Sequence, residues 1–407
     1  MDPLARLLET LDAMSGPAWV TGTAEIATPI TIDGTNIASP TFAAWLRARS
    51  ELAPFGDDEG TRLDENVRST LRLQSRGATD VRGIDLARIC DEIATAFSTE
   101  REVTAKLHDV LLYPVGGKFD RHKDTPAGET QLGSLIINIP HHHEGGWLRV
   151  DDGDEEALID WSGAPPNALR WVAIYGDVNH EISEVLSGER ITIVYSLSLG
   201  APRTDQKRKA LVDEMTDAMI HVVEDEWATR DFILPCRHLI ITPRGDVAYP
   251  LPIDVLRGDD RIIADAFARC GANVSVVEIL TFGAEHVAED APPVPSIQKV
   301  PQLATHTLDV IKAMPASMFD HRALAGRSEG DGDTFGWYED GDPLDVGVIE
   351  PYVTWHRAEH ELVIRQKARA LLAFDGMWSA TGYFGNEYSH THVYRIAGIR
   401  VQFTSER

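Results

Sequence analysis

Between residues 103 and 200 the sequence breaks into short apolar runs, each closed by a turn signal, and this rhythm restricts the fold more than any other feature. Leu111–Tyr113, Leu135–Ile139, Trp147–Val150, Trp171–Tyr175 and Ile191–Leu199 are punctuated by Asp120, Gly145-Gly146, Asp151–Gly153 and Ser187-Gly188. Many short strands at this spacing build a sandwich or a barrel, and a jelly roll (double-stranded β-helix) fits the count. The flanks read differently. Residues 1–100 read as a helical support region: Leu4, Leu7, Leu8 and Leu11 fall at helical spacing, as do Ile84, Leu86, Ile89, Ile93 and Phe97. Residues 201–407 read as an α+β accessory region. An amphipathic helix over 205–229 places Leu211, Met215, Met219, Ile220 and Val223 on one face. Strands at His238–Thr242 and Val274–Ile279 and a helix at Arg261–Arg269 follow. Then come proline- and glycine-rich connections at Pro292–Pro301 and Gly326–Gly336, a helix at Ala358–Phe374 and a strand pair over Gly382–Phe403. The predicted fold class is α+β: a jelly-roll core over 101–200, N-terminal helices over 1–100 and a C-terminal α+β region over 201–407.

The formal charge of −26 on 407 residues repels phosphate backbones and anionic lipid heads. The expected partners therefore exclude nucleic acid and membrane, while a small basic pocket for an anion stays compatible with it. No apolar stretch approaches the ~18 residues of a membrane span. The opening segment mixes acidic residues into its apolar pattern, unlike a secretory signal, so the expected location is the cytoplasm. Cys90, Cys236 and Cys270 are odd in number and far apart, which fits buried free thiols better than disulfides or a zinc ribbon.

The chemistry centres on His122-Lys123-Asp124. Residues i and i+2 of a strand point to the same side, so the imidazole and the carboxylate reach one metal from one strand end. His180 is the candidate third ligand. Two imidazoles and one carboxylate leave three positions open on ferrous iron. Taken alone, His-x-Asp is weak evidence: chance supplies on the order of one such tripeptide in a chain this size, and a solvated histidine is the ordinary reading. The downstream spacing adds weight. Arg190 follows His180 by ten residues, across a Ser187-Gly188 turn that reads as a hairpin. Its guanidinium can grip a carboxylate two-pronged, and Thr192 points the same way with a hydroxyl.

These residues sit in a longer pattern. Leu111-Leu112-Tyr113, Gly117-Lys118-Phe119, His122-Lys123-Asp124-Thr125, Gly133 with Leu135, Pro140 and Gly145-Gly146 with Leu148 come in order. Trp171 with Ala173, Asp177, His180, Val185, Ser187-Gly188 with Arg190 and Thr192, and Tyr195 complete it. Across about ninety residues this resembles the prolyl 4-hydroxylase-like iron(II)- and 2-oxoglutarate-dependent oxygenases. The resemblance implies His122, Asp124 and His180 as iron ligands, Arg190 as the grip on the distal carboxylate of 2-oxoglutarate, and Tyr113 as an aromatic hydroxyl of that site. It implies Fe(II) and 2-oxoglutarate as cofactor and co-substrate, with ascorbate as an accessory reductant. The activity it implies is hydroxylation of a C–H bond in an unassigned small-molecule or peptide substrate. The retained carboxylate of Asp124 implies hydroxylation or desaturation rather than halogenation. A metal- and 2-oxoglutarate-binding sensor or scaffold without turnover is the alternative. Ala53-Pro54-Phe55-Gly56, Asn66-Val67-Arg68 and Gly382 with Gly385-Asn386-Glu387 resemble longer fungal and bacterial members, with Phe384 departing from their pattern.

Other clusters read more plainly. His141-His142-His143 follows a strand end, and successive strand residues face opposite sides, so a loop at the pocket rim touching substrate is favoured over a second metal site. His390 and His392 lack a third ligand nearby. Asp151–Glu156 and Glu329–Asp333 read as solvated acidic loops. Serine-hydrolase, phosphate-loop and zinc-protease signatures are absent from the sequence.

Overall fold

The computed structural model describes residue 11 and residues 16–57, 60–74, 79–124, 130–152, 155–163, 167–222, 231–238 and 251–287. It further describes residues 346–350, 353–354, 361–362, 377–384 and 387–403. The chain divides into two compact units, residues 16–209 and residues 1–15 with 210–407.

The first unit begins with β1 (Trp19–Glu25), β2 (Thr31–Ile32), β3 (Thr35–Asn36), α1 (Phe42–Arg47) and β4 (Ser50–Leu52). Next come β5 (Phe55–Asp57), β6 (Gly60–Arg62), β7 (Leu71–Leu73), β8 (Val81–Arg82) and α2 (Leu86–Ala96). The central segment supplies β9 (Arg101–Tyr113), β10 (Phe119–His122), β11 (Gln131–Ile139), β12 (His143–Gly145) and β13 (Leu148–Asp151). It continues with β14 (Glu156–Ile159), β15 (Ala168–Tyr175), β16 (Asn179–Ile182), β17 (Val185–Gly188) and β18 (Arg190–Pro202). A major sheet runs β1-β15-β11-β18-β9-β7-β4, a minor sheet β10-β16-β13-β14, and β12 pairs with β17 as a ribbon. Every pairing in these three is antiparallel.

The helical reading of residues 1–100 needs correction within the described residues. There, β1, β4 and β7 join the major sheet, while residue 11, α1 and α2 are helical. Trp19-Val20-Thr21-Gly22-Thr23 is aromatic and β-branched, which favours a strand, and β1 pairs with β15 from Trp19↔Ile174 to Glu25↔Ala168. Leu4, Leu7 and Leu8 lie outside the described residues. The α2 reading matches its apolar spacing: Ile89, Cys90, Ile93 and Ala94 are buried, and the Asp85 carboxylate caps the helix by accepting from Arg88 N at 3.1 Å.

The two faces of the major sheet carry different residues. Ile191, Ile193, Tyr195 and Leu197 of β18 share a face with Leu135, Ile137 and Ile139 of β11, and all are buried. On this face Phe97, just past α2, packs its ring 4.2 Å from that of Tyr175. Each fully buried aliphatic side chain contributes about 1.5–3 kcal/mol here. The other face is partly polar. Ser134 and Asn138 of β11, Arg190 and Thr192 of β18 and Tyr113 of β9 lie on it, with Asn138 opposite Thr192 and Arg190 opposite Tyr113.

The second unit contains α3 (Gln206–Val222, begun in the first unit), β19 (Asp231–Pro235), α4 (Gly258–Arg269), β20 (Asn273–Val287), β21 (Val346–Glu350), β22 (Val353–Thr354), β23 (Glu361–Leu362), β24 (Met377–Phe384) and β25 (Glu387–Gln402). Its sheet runs β22-β21-β20-β25-β19-β23, with β24 against β25. Met215, Met219, Leu234, Ile263, Phe267, Val276 and Ile399 are buried in a core of their own. The expected helix at 205–229 is present over Gln206–Val222 as α3, with residues 223–229 outside the described residues, the one at Arg261–Arg269 as α4, and the strand pair as β24 and β25. The expected helix at Ala358–Phe374 is described only at Glu361–Leu362, which pairs parallel with β19 as a strand. The segments Pro292–Pro301 and Gly326–Gly336, and residues 239–242 of the strand expected at His238–Thr242, lie outside the described residues.

Gly133 shows how tightly β11 and β15 meet. A Cβ there would overlap the Ile174 carbonyl oxygen and lie 2.8 Å from Tyr175 Cα. Backbone cannot yield as a flexible side chain does, so Gly133→Ala is expected to lower stability by about 1–3 kcal/mol. A urea-unfolding midpoint equal to that of the unsubstituted protein would contradict this packing.

Candidate metal centre

The antiparallel register of β10 and β16 sets His122 directly opposite His180. A bulge between Phe119 and His122 shifts the strand just before the ligand position, a common way to re-aim a side chain at a functional site. The two imidazole rings lie 4.2 Å apart at 55°. Asp124 follows two residues past His122, and its Oδ1 is 3.7 Å from His180 Nε2. One ligand atom from each of His122, Asp124 and His180 lies within 4.8 Å of the others, a group able to hold a metal ion.

Backbone contacts settle which ring nitrogen is available. His122 Nδ1 is 2.8 Å from the Asp120 carbonyl oxygen, and His180 Nδ1 is 3.1 Å from that of Val178. A carbonyl only accepts, so each Nδ1 carries a proton and Nε2 is the ring nitrogen left available to a metal. Burial, with the neighbouring His180, pushes His122 down to about 2, which keeps it in this ligating form. The Asp124 carboxylate is oriented in turn: Ser134 Oγ donates to Oδ2 at 2.6 Å. Phe119 stacks on the His122 ring at 3.6 Å, and the Arg68 guanidinium lies over Phe119 at 4.5 Å while donating to the Pro54 carbonyl at 2.6 Å. The Pro54 and Arg68 motifs noted in the sequence thus brace the strand that carries His122.

A second constellation surrounds Arg190, which is 1% exposed. Among the described residues no carboxylate pairs with its guanidinium, and the Tyr113 hydroxyl is its polar neighbour. The guanidinium carbon lies 5.1 Å from the Tyr113 ring centre and 5.5 Å from that of Trp161. Burial pushes its pKa down, with the adjacent Tyr113 hydroxyl acting the other way. Thr192 Oγ1 and both polar atoms of the Asn138 amide are likewise buried without a partner among the described residues. Gly146, at φ +65°, makes room: a Cβ would lie 2.9 Å from Arg190 Cδ. Buried polar groups without partners are costly, and this cluster presents several donors on one sheet face.

The structure brings His122, Asp124 and His180 together, and separately Arg190, Thr192 and Tyr113. The route between His180 and Arg190 is not the expected hairpin. β16 belongs to the minor sheet, β17 to the ribbon and β18 to the major sheet, so the chain changes sheets between the two residues. Ser134 and Asn138 were not singled out from the sequence; only the register of β11 against its neighbours reveals them. The histidine tract splits: His141 and His142 are exposed, and His143 is buried. Of the acidic loop, Asp151 pairs with Arg121 at 2.5 Å and Glu156 with Arg149 at 2.7 Å. The side chains of His390 and His392 and all of residues 329–333 lie outside the described residues.

Groups that orient metal ligands are typically worth ten- to a hundredfold in metal affinity. Ser134→Ala is therefore expected to weaken Mn(II) or Fe(II) binding by roughly that factor, and Asp124→Ala to abolish it, in anaerobic titrations. Undiminished affinity in both variants would dissolve the proposed ligand set.

No protein-family model matches the chain, and no curated protein matches it significantly. Among solved structures, it is similar to a 2OG-Fe(II) oxygenase family oxidoreductase from Burkholderia pseudomallei, at 17% identity over 50% of this chain and 94% of that one, with a TM-score of 0.30. A Pseudomonas putida prolyl-4-hydroxylase is similar at 19% identity over 48% and 98%, with a TM-score of 0.29. A viral collagen prolyl hydroxylase from Paramecium Bursaria Chlorella virus-1 is similar at 13% identity over 42% and 97%, with a TM-score of 0.25. At these identities and TM-scores the likeness assigns no role to any residue of this chain.

Proposed function

We propose that the chain is an iron(II)- and 2-oxoglutarate-dependent dioxygenase that hydroxylates a C–H bond of a small-molecule or peptide substrate. In this reading the major and minor sheets are the two halves of a double-stranded β-helix, and His122, Asp124 and His180 hold the iron. The observation that carries it is the buried Arg190 guanidinium, which has no carboxylate partner among the described residues, found in the same unit as two histidines and an aspartate that share one locus.

The residues fit both groups. Two imidazole Nε2 atoms and a carboxylate suit ferrous iron and leave positions open for a chelating 2-oxo acid. The guanidinium nitrogens of Arg190, with the Thr192 hydroxyl and the Asn138 amide, suit a carboxylate. Iron(II) and 2-oxoglutarate, held by these residues, would supply the oxidising chemistry: dioxygen would convert the 2-oxo acid to succinate and carbon dioxide, one oxygen atom entering the succinate and the other the substrate C–H bond. The protein's part is orientation and exclusion of water. Asp120 and Val178 fix the histidine tautomers, Ser134 fixes the Asp124 carboxylate, and Arg190 fixes the far end of the co-substrate. Trp161, buried beside the guanidinium, keeps water from it.

The test loads Fe(II) anaerobically, admits oxygen and scores succinate against a panel of candidate substrates. Substrate-stimulated succinate release that a chelator stops and Fe(II) restores is the expected result. Binding of metal and 2-oxoglutarate with no succinate from any substrate would instead mark a sensor or scaffold. Arg190→Met is expected to raise the 2-oxoglutarate requirement on the order of a hundredfold, because hydrogen bonds to a charged group are lost, with metal affinity nearly unchanged. An unaltered 2-oxoglutarate requirement in that variant would remove Arg190 from the site.

A further inference from the structure

The histidine tract contains a buried residue that the proposed chemistry has not used. β12 pairs with β17 so that His143 stands opposite Gly188, two residues before Arg190. The approach is close: at Gly188, φ +69°, a Cβ would overlap the His142 carbonyl oxygen. This packing leaves His143 2% exposed. Its Nδ1 lies 3.0 Å from the His141 carbonyl oxygen and must therefore carry a proton. In the neutral ring Nε2 is then a bare acceptor, and it is buried without a partner among the described residues.

The register sets His143 two residues from Arg190 across the ribbon, and the Arg190 charge reaches its ring; a bare acceptor and a guanidinium with no carboxylate among the described residues make contradictory demands on an anion that meets both. Arg190 attracts a carboxylate; a neutral His143 Nε2 repels it, lone pair against lone pair. One added proton removes the conflict, because the imidazolium Nε2–H becomes a donor to the same anion. We propose that His143 is an additional anchor of the carboxylate pocket and that the anion binds together with a proton, taken from solvent and carried on His143 Nε2. The inference rests on the reading of the Arg190 pocket as the co-substrate carboxylate site.

The charges around His143 support this sequence of events. Burial lowers its pKa first, and Arg190 from β18 and His141 from the adjoining segment lower it further. Asp160, from the segment leading to Trp161, and the His141 carbonyl oppose them. The ring is therefore held neutral until a carboxylate offsets Arg190 and offers Nε2 an acceptor. The sign follows from linkage: a proton gained on binding makes affinity fall as pH rises through the pKa of the loaded state.

The experiment is calorimetric titration of 2-oxoglutarate into the anaerobic, Mn(II)-loaded full chain, in buffers of differing ionisation enthalpy across roughly pH 6 to 9. Preloading the metal keeps proton release from its ligands out of the measurement. The expected result is uptake of about one proton per bound 2-oxoglutarate, with affinity falling by up to tenfold per pH unit. His143→Gln, which keeps a polar group but cannot titrate there, should abolish both effects while retaining Arg190-dependent binding. Arg190-dependent binding with buffer-independent heat and flat pH dependence in the unsubstituted protein overturns the His143 inference alone. The same slope in His143→Gln also overturns it, by placing the proton elsewhere. Absence of Arg190-dependent 2-oxoglutarate binding at every pH overturns the pocket reading and the inference with it.

Discussion

A guanidinium buried without an anion is the constraint around which the first unit is organised. Removing such a cation from water costs several kcal/mol even after the surroundings relax. The Tyr113 and Trp161 faces near Arg190 recover part of that, since cation–π contacts reach about 2 kcal/mol when desolvated. The remainder is an instability that a fold selected for stability alone would eliminate by placing an aliphatic residue there. Beside Arg190 lie the Thr192 hydroxyl and the Asn138 amide, without partners among the described residues, and under the proposed function a carboxylate ligand supplies the missing interaction. Gly146 is part of the same arrangement, since a side chain at that position would push Arg190 out of its place.

The major sheet makes this instability tolerable by dividing its labour between its faces. One face is aliphatic and aromatic, includes Trp171, Tyr175 and Tyr195, and anchors the sheet through α2 and Phe97. That burial secures the strands whose other face carries the costly polar groups. Strand β11 joins the two ends of the site. Its Ser134 holds the Asp124 carboxylate, and four residues further on, on the same face, Asn138 stands opposite Thr192. Under the proposed function one strand's pleat, rather than independent loops, sets both the metal end and the anion end, which is the kind of support that keeps a reacting geometry fixed.

Much of this was readable from the amino-acid sequence, and the division has a physical cause. That His122 and Asp124 could meet one ion was legible because the two-residue period of a strand is local; Arg190 and Thr192 were singled out from the strand they open, and Tyr113 from the family resemblance alone. Ser134 and Asn138 were illegible. Each sits inside an apolar run, and its neighbours are decided by which strands lie next to β11, a pairing between residues some sixty apart in the chain. The helical reading of residues 1–100 failed where a pattern seen at Ile84–Phe97 was extended over segments that did not carry it: the aromatic and β-branched β1 pairs with the edge that β15 offers, and the three-residue β4 and β7 carry almost no pattern of their own. The supposed hairpin before Arg190 misread the Ser187-Gly188 signal, since Gly188 takes its left-handed conformation to let β17 approach β12 rather than to return the chain beside β16.

The way Asp124 is held carries the chemical argument furthest. Ser134 occupies Oδ2 at 2.6 Å, while Oδ1 is the oxygen that faces His180 Nε2 at 3.7 Å. A carboxylate with one oxygen committed to a hydroxyl donor is biased toward offering a metal the other oxygen alone. Both imidazoles are biased in the same manner, since Asp120 and Val178 hold Nδ1 and leave Nε2 as the ligating atom. Each side chain therefore contributes one ligand, and an octahedral ion so bound keeps half of its positions for other molecules. A structural metal site would close that shell with protein atoms. An open shell within the same unit as a pocket built for a carboxylate is instead suited to a ligand that chelates at one end and is gripped at the other.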